Sequence, residues 1–530
     1  MLQWQAQQDW KSYGNFCPGT FGPSAGHSGI SLVKIRSLTH IGVPESDLLD
    51  ASRMKRQARA AATKAEEMQA REVHCAVHDV PESDLMLLDE QTLRDLEIFR
   101  TESSGQSLFD WCNATRNLKG AKVLRARMQR PFSNPERIRE TQTAIAWLNE
   151  NFKQFEHLPT FVTTDLIEFY IHGILPLAMS KNAFEFFFAM LDIRLGDDLR
   201  YHRITVGVEA VSTMIRALRD IFSKPELDNP RGEVAAVLEE MRELLSSPGF
   251  ALVTERKVWD MRPWTILRID QVFRMHEKHS VYRLLHLVYE LDALLAMTQT
   301  MRRQKLTMPE LTTGALAVSA EQVIHPLVSN AVPNPVNLDQ THRLLFLTGP
   351  NMAGKTTYLR AGAIALYLAH LGMGVPAQAM RFTPAQRLYS SISLMDNLSI
   401  GVSFFRAEAL RVKTIARALA EGYRVIAIMD EPFKGTNVKD ALDASLEVLL
   451  RFAVREDNLF MFSSHLIEME ERMRACSQVT CCHFEADESG GKLGFDYVLR
   501  PGVSSQRLGM RVLSEEGIFE LLDARAKSPD

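Results

Sequence analysis

Eight consecutive residues, Gly349-Pro350-Asn351-Met352-Ala353-Gly354-Lys355-Thr356, fit the pattern G-x-x-x-x-G-K-[ST], and Thr357 follows directly. Glycines at both ends let the backbone bend so that successive N–H groups converge on phosphate oxygens, and a helix starting behind them adds positive potential. Lys355 then reaches for the β- and γ-phosphates of a nucleotide, and the Thr356 hydroxyl is a ligand for Mg2+. A second group of chemical residues closes the apolar run Val425–Met429: Asp430 and Glu431. Carboxylates at the end of a buried strand are costly unless a cation compensates them. Beside a phosphate loop, Asp430 would hold Mg2+, through water, and Glu431 would orient or deprotonate the attacking water. His465, after the run Leu459–Phe462 and Ser463-Ser464, is a third candidate, a sensor of the γ-phosphate or of the water.

These residues need a scaffold that brings strand ends together. Leu344–Thr348, Val425–Met429 and Leu459–Phe462 are apolar without alternation, as strands covered on both faces are. Helical patterns at Thr356–Leu371 and Val438–Phe452 separate them. Strand–helix alternation predicts a doubly wound parallel α/β domain, in which ligands bind beyond the carboxyl ends of the strands. Upstream the period is that of packed helices. Leu284, Leu287, Val288, Leu291, Leu294 and Leu295 form one stripe within Val281–Arg302, and Ile138, Ile145 and Leu148 form another. Asn134 is a cap before Pro135 at a helix start. The first 84 residues lack such periodicity, apart from a charged, Ala-rich helical stretch at Ser52–Arg71.

At 530 residues the chain exceeds one core of ordinary size. The expected parts are a poorly structured extension (1–84), an all-α domain (85–312) and an α/β nucleotide-binding domain (313–525), a multidomain α+β chain. A net charge of −4 neither requires nor excludes nucleic acid, since a basic stripe can sit inside a neutral total. The six cysteines show no disulfide framework, and no apolar run approaches the ~20 residues of a membrane span. Without a secretory pattern at the N-terminus, a cytoplasmic protein is expected.

The residues around the loop are more specific than the bare pattern. Leu347 through Met352 and Gly354 through Arg360 resemble the MutS family of DNA mismatch-repair ATPases, as do Val375-Pro376-Ala377-Gln378 and Asn334-Pro335-Val336-Asn337-Leu338. So do Asp396-Asn397-Leu398 with Gly401-Val402-Ser403, and Asp430-Glu431 with Gly435-Thr436-Asn437. Upstream, Leu88-Asp89, Thr92-Leu93, Leu96-Glu97-Ile98, Gly120 and Leu124 are similar to the start of the family's core helical domain. The resemblance implies a helical core or lever domain followed by an ABC-type P-loop ATPase domain. It further implies ATP and Mg2+, a homodimer that completes each site across its interface, and DNA, mismatched or branched, as partner. In that picture Ser403 of one subunit approaches the γ-phosphate held by Lys355 of the other, His483 contacts the adenine, and Gln386 lies near metal and phosphate.

The chain also departs from the family. Ala353 stands where a glycine is usual, Pro432-Phe433-Lys434 replaces an apolar-Gly-Arg link, and Phe404 follows Ser403. The N-terminal 84 residues contain no Phe-x-Glu that could wedge beside a mispaired base, and no strand-rich insert is expected between Leu218 and Asp260. No nuclease domain is expected behind the ATPase, which argues against the nuclease-bearing members of the family. Basic residues for a DNA backbone are Arg256, Lys257, Arg262, Arg302, Arg303 and Lys305. The alternative function is a dimeric ATPase switch acting on a protein client without reading DNA.

Overall fold

The computed structural model describes residues 80–100, 105–173, 175, 177, 183–196, 198–393, 404–487, 494–504, 506 and 509–523. All belong to one compact unit, Val73–Asp530. The expectations for residues 1–79, including the Ser52–Arg71 helix, fall outside the described residues, as do Asp396-Asn397-Leu398 and Gly401-Val402-Ser403.

After a short strand, β1 (Leu87–Leu88), the described residues form the α-helices α1 (Glu90–Asp95), α2 (Leu108–Cys112), α3 (Leu118–Gln129), α4 (Pro135–Glu150), α5 (Phe161–His172), α6 (Ala183–Gly196), α7 (Asp198–Phe222), α8 (Glu233–Leu245), α9 (Pro263–Gln271) and α10 (Lys278–Gln304). Helix α4 begins as its sequence dictates: Pro135 is its first residue and the Asn134 side chain accepts from Glu136 N at 2.9 Å. Helix α10 is buried nearly all round between Val281 and Thr300, and its leucines join the main core, each contributing on the order of 2 kcal/mol. Its buried Asp292 accepts from Arg116 N (3.0 Å) and Asn117 N (3.0 Å), closing the open amides at the start of α3. That approach needs Gly120, where a Cβ would lie 2.2 Å from the Asp292 carboxylate.

From Glu310 onward strands and helices alternate: β2 (Glu310–Leu311), β3 (Val318–Val323), β4 (Asn334–Leu338), β5 (Leu344–Thr348), α11 (Lys355–His370), β6 (Ala379–Phe382), β7 (Arg387–Ser391), α12 (Phe404–Ala420), β8 (Val425–Asp430), α13 (Val438–Ala453), β9 (Leu459–Ser463), α14 (Glu470–Ala475), β10 (Val479–His483), β11 (Ala486–Asp487), β12 (Gly494–Phe495), β13 (Arg500–Pro501), α15 (Gly509–Glu515) and α16 (Ile518–Asp523). The main sheet has the order β1-β7-β8-β9-β5-β10-β13, parallel except for β13 on β10. Alternate residues of β5 enter different cores. Leu345 and Leu347 pack with α11, and Leu344 and Phe346 with Ile415 of α12 and Leu449 of α13. This is why the strand reads as apolar without alternation. A smaller sheet, β2-β6-β3-β4, covers the other side of α11, and Gly362 sits between Val336 of β4 and Met461 of β9.

Strand β1 lies before the helices in sequence yet pairs with β7, with Leu87 opposite Arg387. Behind it, the buried Asp95 of α1 accepts from Ser390 Oγ (2.6 Å), Ile392 N (2.9 Å) and Ser393 N (3.0 Å). The N-terminal end of the helical part is therefore stitched into the sheet. No helix among the described residues is long and apolar enough to cross a membrane.

Candidate active site

The Gly349–Thr356 loop leaves the carboxyl end of β5 and enters α11. Gly349 has φ +139°, and a Cβ there would stand 2.7 Å from the Phe484 carbonyl oxygen. Gly354, the residue that caps α11, has φ +99°, and Met352 between them has φ +71°. Ala353, which stands where the family usually has glycine, is 1% exposed and is not among the residues lining the cavity beside the loop. Its methyl faces the core, so the departure from the family costs the loop no room.

Lys355 is almost fully buried. Its Nζ donates to the carbonyls of Gly349 (2.8 Å) and Pro350 (3.3 Å), and lies 3.5 Å from Glu431 Oε1. The Thr356 hydroxyl donates to Asp430 Oδ2, and the Ser463 hydroxyl to Asp430 Oδ1. Three strand ends thus converge: β5 through the loop, β8 with Asp430 and β9 with Ser463. Parallel register explains the meeting, since Asp430 sits opposite Ser463. These hydroxyl and carboxylate oxygens form a hard donor set of the kind that suits Mg2+, which typically takes one or two carboxylates plus phosphate oxygens.

Glu431 turns away from the strand with φ +48°, fastened by its N–H to Ser463 O at 3.1 Å. Its Oε2 lies 3.7 Å from His465 Nδ1. The His465 imidazole, with Lys355 next in influence, holds the Glu431 carboxyl down to about 2, against burial that pushes it up. The same contact raises the pKa of the half-exposed His465. Glu431 is therefore an ionised acceptor at neutral pH. The loop behind the acids is held by buried Glu408, which accepts from Lys434 N and Gly435 N at 3.2 Å each. Phe433 occupies a left-handed conformation (φ +65°) that glycine usually takes, and its ring is buried against Phe405 at 5.9 Å. Burial of the ring offsets the strain.

Beside the loop lies a cavity of about 680 Å³, lined by Pro350 through Met352, Gly354 through Thr357, Asp430 and Glu431 on one side. His325, Asn334, Phe484 and Tyr497 line the other. Asn334 accepts from Leu499 N (2.7 Å) and donates to Tyr497 O (2.9 Å), holding Tyr497 over Gly354, where a Cβ would be 3.1 Å from its ring.

Most sequence-predicted residues meet here, and two do not. Gln386 accepts from Arg424 N (3.0 Å) at the amino end of β8. That is the far end of the strand from Asp430, about 20 Å away for six residues, so Gln386 does not approach a metal or phosphate. His483, at the end of β10, is buried and bonded to Glu485 Oε1 (3.0 Å), and it does not line the cavity. A base entering the cavity would instead face Tyr497, His325 and Phe484. Ser463 and Tyr497 were missed. The rule that ligands gather beyond strand carboxyl ends points to Ser463; no sequence signal points to Tyr497. Ser403 lies outside the described residues.

A family model for MutS domain V matches residues 345–528, from within β5 to beyond α16. The match covers the α/β part of the chain and supports a MutS-family protein. Domain V is the family's ATPase domain, so the chain is an ATPase that binds ATP, and the match points in general to MutS-type DNA binding. The matched span contains the glycine loop, Asp430, Glu431, Ser463, His465 and Tyr497, so the family match and the geometry concern the same site.

Proposed function

We propose that this MutS-family protein hydrolyses ATP with Mg2+ at a site completed by a second copy of the chain, and uses the cycle to switch its grip on mismatched or otherwise irregular DNA. The observation that carries the reading is the junction of Thr356, Asp430 and Ser463 beside Lys355 and Glu431. A triphosphate along the loop amides offers Lys355 a stronger partner than the loop carbonyls, so its ammonium turns to the β- and γ-phosphates. Thr356 and Asp430 would hold Mg2+, which neutralises charge between β- and γ-oxygens when bound. Glu431, relieved of Lys355, accepts a hydrogen bond from the attacking water and orients it. His465, the larger cause of the lowered Glu431 pKa, stays in place, so the carboxylate orients the water and is a weak base toward it. His465 stays against Glu431 and senses the γ-phosphate. Ser403 of the second copy closes the site in this reading, which for that residue rests on the family resemblance.

The test is ATP turnover with and without homoduplex, mismatched and branched DNA at stated salt, since backbone-dominated binding weakens steeply as salt rises. Irregular DNA should change turnover more than homoduplex does. Turnover indifferent to every DNA, with no binding at low salt, removes DNA from the reading and leaves the protein-client alternative. Undiminished turnover by Lys355→Ala removes the site.

A further inference from the structure

In the helical part, sharing no lining residue with the nucleotide cavity, the start of α7 and the segment leading into α9 line a cavity of about 620 Å³. Its lining includes Tyr201, His202, Trp259, Met261 and Pro263. Trp259 is 52% exposed and Leu199, in the same lining, 55%, so two large apolar side chains face solvent together here. His202 lies against it with ring centroids 5.5 Å apart, and the Arg194 guanidinium lies 4.9 Å from the Tyr201 ring.

The aromatic surface sits among cations. Residues 199–205 and 254–264 together carry Arg200, Arg203, Arg256, Lys257 and Arg262 against only Glu255 and Asp260. All five cations are exposed, and Arg203, Arg256, Lys257 and Arg262 have no carboxylate partner among the described residues. By contrast Arg302 and Arg303, two of the three other expected DNA contacts (Lys305 is the third), donate to the carbonyls of Asn149 (2.9 Å) and Trp111 (2.7 Å).

The loop that presents Trp259 is fastened from behind. Arg219 donates to the carbonyls of Phe250 (2.9 Å) and Val253 (2.8 Å), and Arg216 to those of Thr254 (3.4 Å) and Arg256 (3.3 Å). Val258 N donates to Glu209 (2.9 Å), itself paired with Arg216 at 2.8 Å. Arg256 and Lys257, both exposed, precede the exposed ring on a fastened backbone, and exposed Arg262 follows it. Rigid aromatic faces flanked by unpaired cations suit a flexible polyanion that carries flat apolar groups, which is the chemistry of single-stranded nucleic acid. A duplex hides its base faces and would use only the cations.

We propose that this surface binds unpaired DNA, a base stacking on Trp259 beside His202 while Arg256, Lys257 and Arg262 neutralise neighbouring phosphates. The proposal deepens the DNA reading above by naming the strand feature recognised.

The experiment titrates labelled oligo(dT)20 and a blunt 20-base-pair duplex against full-length wild type, Trp259→Ala, Trp259→Phe and the double variant Arg256→Ala/Lys257→Ala, without nucleotide and at two salt concentrations. Wild type should prefer the single strand. Trp259→Ala should weaken single-strand binding roughly five- to a hundredfold, the scale of one lost base–aromatic stack, and leave the duplex within about twofold. Trp259→Phe should recover most of the loss. The double cation variant should weaken both ligands and flatten the salt dependence. Because Trp259 is half-exposed and does not line the nucleotide cavity, basal ATP turnover and melting temperature of Trp259→Ala should match wild type. Absent oligo(dT) binding by wild type, unchanged single-strand binding by Trp259→Ala, or equal loss on both ligands overturns the proposal. Trp259-dependent strand binding in a protein whose turnover ignores DNA upholds this surface and sinks the switch.

Discussion

Replacing Gly349 by alanine tests whether the loop geometry is what makes the site. Three glycines on the ATPase side separate the effects. Gly422 has φ +82° and nothing within 4 Å of an added Cβ. Gly422→Ala therefore carries torsional strain alone, about 1–2 kcal/mol, and should lower stability without touching ATP affinity. Gly354 (φ +99°) adds a contact at 3.1 Å, but with the ring of Tyr497, which can shift. Gly349 (φ +139°) meets the Phe484 backbone carbonyl at 2.7 Å, which no side-chain rotation relieves. The loop or the end of β10 has to move by several tenths of an ångström. Strain and overlap together should cost about 3 kcal/mol, and displaced loop amides should cost at least about tenfold in ATP affinity. Urea denaturation and titration with a fluorescent ATP analogue read the two quantities. The expected order of affinity loss is Gly349→Ala, then Gly354→Ala, then Gly422→Ala with none. If Gly349→Ala binds the analogue like wild type, the loop does not hold the phosphates in this conformation, and the reasoning fails.

Other outcomes follow from the same site. Lys355→Ala should abolish productive ATP binding, whereas Glu431→Ala should bind ATP normally and hydrolyse it at least ~10²-fold more slowly; normal single-turnover hydrolysis by Glu431→Ala would rule out its role at the water. Mixtures of Ser403→Ala and Lys355→Ala proteins should regain partial activity through mixed dimers, and independent sites should give none. The Glu431–His465 pair has a defined pH window. Glu431, depressed to about 2, adds stability above its ordinary value of 4.5 and loses it as pH falls toward 2. His465, raised above 6.5, adds stability below that value and loses it as pH rises through its folded pKa. The melting-temperature gap between wild type and His465→Ala should thus be widest near pH 5–6 and narrow at pH 9. A gap independent of pH would detach His465 from Glu431.

What the sequence by itself determined is what depends on neighbours in the chain. The glycine loop, its lysine and the helix behind it follow from residues 349–356, because turn and dipole are local. The strands at 344–348, 425–430 and 459–463 and the cap at Asn134 were legible for the same reason. Tertiary structure decided everything that depends on which strand end meets which. It placed Ser463 against Asp430 across 33 residues and moved Gln386 to the opposite end of the sheet. It turned His483 away from the cavity and brought in Tyr497, held by Asn334 from 163 residues away. It also set β1, from before the helical part, on the edge of the ATPase sheet, and gathered His202 and Trp259 into one surface. A parallel sheet joins distant segments by direction and register, and neither is written in the local pattern of apolar residues.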